Sequence, residues 1–152
     1  MNKTIYFDMD GTLVDFYNVK NWLNYLINKN TYPYEKALPL INNIQSFETI
    51  ILLLKNKGYK IGIISWCSKG GDIKYNRQTR KAKKDWLKKY FSSIKFDTIH
   101  IIKYGTNKNK FNIGNDILFD DEQKNRDSWS GDAYSEKEIF TILNQLLEVK
   151  NE

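Results

Sequence analysis

The stretch that most constrains this chain is Ile5-Tyr6-Phe7-Asp8-Met9-Asp10-Gly11-Thr12-Leu13, an apolar, β-prone run that stops at two aspartates and a Gly-Thr turn. A strand buried on both faces reads as a continuous hydrophobic run, and in an open parallel sheet ligands bind beyond its carboxyl end. Asp8 and Asp10, at i and i+2 of an extended segment, point to one face, and Gly11 lets the backbone turn away sharply. Two carboxylates this close repel each other unless a cation or a shared proton lies between them. A hard divalent ion such as Mg2+, which takes oxygen ligands and keeps waters that a phosphate can displace, resolves that conflict. An acidic surface turn also carries Asp and Gly. The full pattern Asp-x-Asp-Gly-Thr is more specific than such a turn requires.

Downstream, the apolar pattern predicts a doubly wound arrangement. Residues 18–28 place Val19, Trp22, Leu23, Leu26 and Ile27 at helical spacing, Asn30-Thr31-Tyr32-Pro33 marks an exit, and residues 35–44 hold a second apolar group around Pro39. Residues 16–45 are therefore expected to form a small helical cap over the aspartates. Its aromatics, Phe16, Tyr17, Trp22, Tyr25, Tyr32 and Tyr34, suit stacking on a flat ligand such as a nucleobase; plain packing on the sheet is the competing role. Ser46 is expected to cap a helix that buries Phe47, Ile50, Ile51, Leu53 and Leu54 and stops at Lys57-Gly58.

Residues 59–65 read as a second buried strand ending at Ser65, and a strand, crossover helix and parallel strand make a right-handed unit. Residues 68–91 are strongly basic, with Tyr75, Thr79, Ala82, Trp86 and Tyr90 at helical spacing, so the lysines and arginines of 69–89 are expected on a solvated helix face. A third strand is expected over 96–104, with His100 as a packed or half-exposed strand residue. A fourth is expected over 116–121, ending in Asp120-Asp121. Ser135-Glu136-Lys137-Glu138 is a capping-box pattern opening a terminal helix with Ile139, Leu143, Leu146 and Leu147 inward. The expected fold class is α/β: a Rossmann-like three-layer α/β/α fold with a mainly parallel sheet and the cap inserted after the first strand, in one domain over 1–152.

Asp8 and Asp10, Ser65, and Asp120 and Asp121 thus all stand at strand carboxyl ends, which share one edge of a parallel sheet. A fixed cation opposite so many carboxylates is expected from Lys108, or from Lys110 two residues on; Lys103 belongs to the strand itself.

In order and spacing these residues resemble the four motifs of the haloacid dehalogenase superfamily of phosphohydrolases, across nearly the whole chain from Asp8 to Asp121. The resemblance implies that Asp8 is the nucleophile, Asp10 the general acid and base, Ser65 the second motif, Lys108 the third, and Asp120-Asp121 the acidic fourth. It implies phosphate binding by Gly11, Thr12, Ser65 and Lys108. It also implies a Mg2+ site of Asp8, Asp120 and the Asp10 backbone carbonyl, with Asp121 in support. Asp10 favours a phosphatase over a dehalogenase. Asp120-Asp121 followed by Asn125 and Trp129 is similar to deoxyribonucleotide 5'-phosphatases and their phage-encoded relatives, which implies a nucleoside monophosphate as the leading substrate, with other small phosphate esters, sugar phosphates included, still open. A phosphatase of nucleic-acid ends, using the basic 69–89 segment, is an alternative enzyme; a catalytically idle nucleotide- or metal-binding protein is the alternative of another class.

Composition supports a folded chain, 41% hydrophobic and 14% aromatic, while the net charge of +6 suits anionic substrates and non-specific nucleic-acid affinity alike and does not separate them. The lone Cys67 excludes an intramolecular disulfide and a cysteine zinc cluster, and as a buried small apolar residue it needs no catalytic role. With no apolar run of signal-peptide or membrane-span length, no membrane contact and a cytoplasmic location are expected.

Overall fold

The computed structural model describes residues 3–150, so 1–2 and 151–152 of the expected domain lie outside the described residues. The apolar runs form strands β1 (Thr4–Phe7), β2 (Lys60–Trp66), β3 (Thr98–Ile102) and β4 (Ile117–Phe119). A fifth, β5 (Ala133–Tyr134), completes an all-parallel sheet in the order β3-β2-β1-β4-β5. Two residues carry no periodic signal, so β5 was not foreseeable from hydropathy. β1 is central. The chain runs outward from it through β2 to β3, then crosses back to β4 and β5, so the strand order reverses between β1 and β4. Ligand crevices in doubly wound sheets lie at such a reversal. The Asp8 amide donates to the Phe119 carbonyl at 2.9 Å and locks the two strand ends together there.

Alternation along the strands divides the core. Ile5 and Phe7 of β1, Ile61 and Ile63 of β2 and Ile117 and Phe119 of β4 face one side. There they meet helices α3 (Ile44–Asn56), α4 (Ile73–Tyr90) and α6 (Ile139–Glu148) through Phe47, Ile51, Leu54, Trp86 and Leu143. Tyr6, Ile64 and Leu118 face the other side, where the cover is thinner. It consists of Trp129, Phe111 on a 3-10 turn (Lys108–Phe111), and the short helix α5 (Gln123–Ser128) that contacts that turn. His100, half-exposed as expected, stacks on Phe111 at 4.3 Å.

Several boundaries differ from the sequence reading. The first cap helix, α1, spans only Trp22–Ile27, and the second, α2, is Tyr32–Lys36 rather than 35–44. Pro33, which reads as a breaker, sits in the first turn of α2, where its missing N–H costs nothing. Pro39 lies instead in an extended bridge opposite Val14. Helix α3 is capped by Asn43, whose side chain accepts from the Ser46 amide, not by Ser46. Its buried stripe is Phe47, Ile51 and Leu54; Leu53, one residue off that spacing, is half exposed. Gly58 ends the helix region at φ +107°. The Ser135–Glu138 capping box forms as read and leads into α6, with Ile139 and Leu143 buried and Leu146 and Leu147 partly so. Lys57 at the end of α3 donates to the carbonyls of Leu146 (3.0 Å), Leu147 (2.8 Å) and Val149, closing the free end of α6. No helix among the described residues is long and apolar enough to cross a membrane.

Candidate active site

The turn after β1 is built by its own backbone. The Met9 carbonyl accepts from the amides of Thr12, Leu13 and Val14, and the Gly11 amide donates to the Val14 carbonyl. The amides of Gly11 and Thr12, two residues expected at a substrate phosphate, are thus taken up within the turn. Gly11 stands at φ +83°, and a Cβ there would lie 2.3 Å from Asp121 Oδ2. Glycine is required both for the turn and for the approach of Asp121. Thr12 is buried, and its hydroxyl lies 3.2 Å from Asp8 Oδ2 and 3.3 Å from Asp121 Oδ1 while accepting from the Asp121 amide at 3.1 Å. Its role in this arrangement is to tie the two carboxylate loops together.

Asp8, Asp120 and Asp121 converge. One carboxylate oxygen from each lies within 4.8 Å of the others, a group able to hold a metal ion. All the donors are oxygens, which suits a hard cation. Asp120 is fully buried, with Oδ1 accepting from the Glu122 amide (2.9 Å) and Oδ2 from Asn125 Nδ2 (3.2 Å). Burial, followed by the charge of Asp8, pushes the carboxyls of Asp120 and Asp121 well above the usual range. Such mutually destabilised carboxylates are the electrostatic condition a bound cation relieves. Asp10 contributes no side-chain oxygen to this group.

Lys108 is the cation on the other side. Its ammonium, 3% exposed, donates to Asp8 Oδ1 at 2.9 Å and Asp120 Oδ2 at 2.7 Å. Burial works against its charge, but the two carboxylates outweigh burial and hold its pKa above the usual lysine value. Lys110, the alternative, is exposed over the Phe111 ring, and Lys103 is exposed as well. The 3-10 turn decides between them, because Asn107 caps it and turns Lys108 inward.

A second buried lysine was not anticipated. Lys83 was expected on the solvated face of α4, yet it is 1% exposed, with Nζ 2.8 Å from each of Asp10 Oδ2, Ser65 Oγ and the Trp66 carbonyl. The correction has a plain geometric cause. Lys83 stands four residues after Thr79 and three before Trp86, so it belongs to the stripe that packs on the sheet. A charged residue at an inward helical position was the available signal. Ser65, at the end of β2, is therefore placed beside Asp10 through Lys83, and it does not line the cavity above the aspartates. Arg77, Lys81, Lys84 and Lys88 do lie on the exposed face as read.

That cavity has a volume of about 300 Å³. Asp8, Asp10 and Lys108 form its floor, with Asn125 and Glu122 at one side. Phe16, Tyr17, Trp22 and Tyr34 of the cap and Trp66 and Tyr104 of the sheet edge form aromatic walls, and Leu23, Leu26 and Ile27 of α1 close the mouth. Tyr25 and Tyr32, also expected at a flat ligand, stack on each other at 4.7 Å and stay outside it. Burial pushes the hydroxyls of Tyr17 and Tyr34 up, so both remain neutral donors. Cys67 lines the cavity from a buried position, and burial raises its thiol, which keeps it protonated rather than nucleophilic.

No protein-family model and no curated protein matches the chain.

Proposed function

We propose that this protein is a Mg2+-dependent phosphomonoester hydrolase of the haloacid dehalogenase type, working through an aspartyl-phosphate on Asp8, with nucleoside monophosphates, deoxyribonucleoside monophosphates above all, as substrates. The observation that carries the reading is the floor of the cavity. A carboxylate at a strand end stands beside a fixed ammonium and an oxygen-rich cation site, and a second carboxylate two residues on is held apart from both.

Asp8, Asp120 and Asp121, with the Asp10 backbone carbonyl, would hold Mg2+, which supplies charge neutralisation so that an anionic nucleophile and a phosphate can approach. Asp8 attacks phosphorus as the bond to the leaving oxygen breaks, and Asp10 gives that oxygen its proton. Asp10, now a carboxylate, takes a proton from water. The water oxygen attacks phosphorus, the bond to Asp8 breaks, and inorganic phosphate and both aspartates are returned. Lys108 balances the charge that accumulates on the phosphoryl oxygens. The aromatic walls and the small volume favour one flat, largely uncharged leaving group bearing one phosphate.

The test is phosphate release from ribo- and deoxyribonucleoside monophosphates, sugar phosphates and a 3'-phosphorylated oligonucleotide, with Mg2+ or EDTA. Mg2+-dependent release confined to nucleoside monophosphates and abolished in Asp8→Asn is the expected result. Release from no ester, or equal activity in Asp8→Asn, overturns the mechanism and leaves a nucleotide- or metal-binding protein. The exposed basic hollow of Arg77, Lys81, Lys84 and Lys88 on α4 favours one other reading, a phosphatase of nucleic-acid ends. It predicts preference for the oligonucleotide and binding that weakens steeply with salt.

A further inference from the structure

We infer that Lys83 is a positioning residue for Asp10: from behind the cavity wall it fixes one oxygen of that carboxylate and presents the other to the reacting phosphate. The inference rests on the aspartyl-phosphatase reading above and adds to it a residue that no part of the sequence pattern supplied.

Four observations carry it. The first is cost. Placing an ammonium at a position only 1% exposed, between α4 and the sheet, forfeits hydration that an apolar residue would never need. Ala82, Trp86 and Leu87 at neighbouring inward positions show what ordinary packing uses there. The second is saturation. All three ammonium protons are spent, on Asp10 Oδ2, Ser65 Oγ and the Trp66 carbonyl, each at 2.8 Å, so the group has no freedom to follow a substrate.

The third is direction. Asp10 lines the cavity and Lys83 does not. Only Oδ2 of Asp10 meets Lys83, and among the described residues Oδ1 has no hydrogen-bond partner. A carboxylate gripped on one oxygen and free on the other is oriented for transfer of a proton at the free one. The fourth is separation. Lys108 serves Asp8 and Asp120, while Lys83 serves Asp10, so two aspartates two residues apart each have their own cation. Lys83 also lies 5.0 Å from the centre of the Tyr34 ring. That contact anchors α2 of the cap against the same side chain that holds Asp10.

A lysine that acts through Asp10 must fail where Asp10 fails. The experiment compares wild type, Lys83→Met, Lys83→Gln, Asp10→Asn and the double variant Lys83→Met/Asp10→Asn, each with Mg2+. Substrates are p-nitrophenyl phosphate, whose leaving group needs no proton, and a nucleoside monophosphate, whose alkoxide does. Expected in Lys83→Met are a retained rapid burst of nitrophenolate, a steady-state rate about 100-fold lower on both substrates, and no burst with the nucleotide. The double variant is expected to be no slower than Asp10→Asn alone, as for residues acting as one unit. A burst lost together with the steady state, losses that add in the double variant, or an undiminished Lys83→Met rate would each overturn the assignment. Should Lys83→Met show no cooperative melting transition, Lys83→Gln, which keeps a donor without the charge, is held to the same outcomes. Failure of the underlying reading looks different, because wild type itself then releases no phosphate or Asp8→Asn stays active.

Discussion

The floor of the cavity and the rim above it are built on opposite principles. At the floor and directly behind it, Asp8, Asp120, Lys83 and Lys108 are all buried and each has a partner placed by a strand end, a capped turn or a long helix. At the rim, α1 has no buried residue at all, and Leu23 and Ile27 are 55% and 68% exposed. Trp22 at its start packs on Phe16 and Tyr17, and the residues after its end are held by the Tyr75 hydroxyl, which donates to the Asn30 carbonyl, and by Lys29 with Asp72 in an exposed pair. On the proposed reading, the chemistry is embedded in the cooperative core, while leaving-group recognition falls to a short helix that can be changed at little cost to stability.

The comparison breaks most decisively at Asp8. Asp8→Asn is expected to lower kcat by about 10⁴-fold or more without lowering the melting temperature, since the substitution removes one of three mutually repelling carboxylates. Unfolding of this variant in a thermal melt would show instead that Asp8 is structural.

Next in size is Lys108→Met. It should cost roughly 10² to 10³ in kcat and about 3 kcal/mol of stability in EDTA, because Asp8 and Asp120 lose their buried partner. Mg2+ should restore part of the stability and little of the rate, as melts and kinetics on one preparation would reveal. Lys110→Met, on the exposed side of the same turn, should change neither.

A third prediction concerns pH. Asp121 is pushed up to about 8, first by burial and then by Asp8, from an ordinary value near 4. A carboxyl raised in the folded state holds its proton longer there than in the unfolded chain, so stability falls as pH rises from about 4 to about 8. In EDTA the melting temperature should therefore decline across that window. Mg2+ should flatten the decline and add about 2.7 kcal/mol at a hundredfold excess over its dissociation constant. A melting temperature indifferent to both pH and Mg2+ would refute the cation site.

The smallest effect is expected at the rim. Leu23→Ser and Ile27→Ser should shift stability by less than about 0.5 kcal/mol while raising KM for nucleoside monophosphates roughly tenfold and leaving kcat almost unchanged. A comparable rise for a compact ester such as glycerol phosphate would mean that α1 does not contact the leaving group.

The same division sets what was legible in the sequence. Strand ends announce themselves locally: an apolar run stops at Asp8, at Ser65 or at Asp120, and parallel pairing gathers those ends at one edge. Lys108 was legible as a lysine in a tight polar turn. Lys83 was not, because its charge points to solvent while its helical position, in the stripe of Thr79 and Trp86, points to the sheet. The cap boundaries escaped because propensity is a weak guide to helices of five or six residues, of which α1 buries no residue and α2 only Pro33 and Tyr34. β5 exists only because β4 and α5 offer it a place to pair.

The unequal cover on the two faces of the sheet has a consequence of its own. Lys83 arrives on a helix of 18 residues packed into the larger core, whereas Lys108 arrives on a four-residue 3-10 turn that belongs to the thin side. Sub-global opening should therefore begin where little apolar area resists it, around Phe111 and Trp129. Such an excursion withdraws one ammonium while Asp10 and its own lysine stay in register. Amide hydrogens of residues 106–113 should accordingly exchange faster than those of α4, and the protein should pass through an inactive species that is still mostly folded before it unfolds altogether.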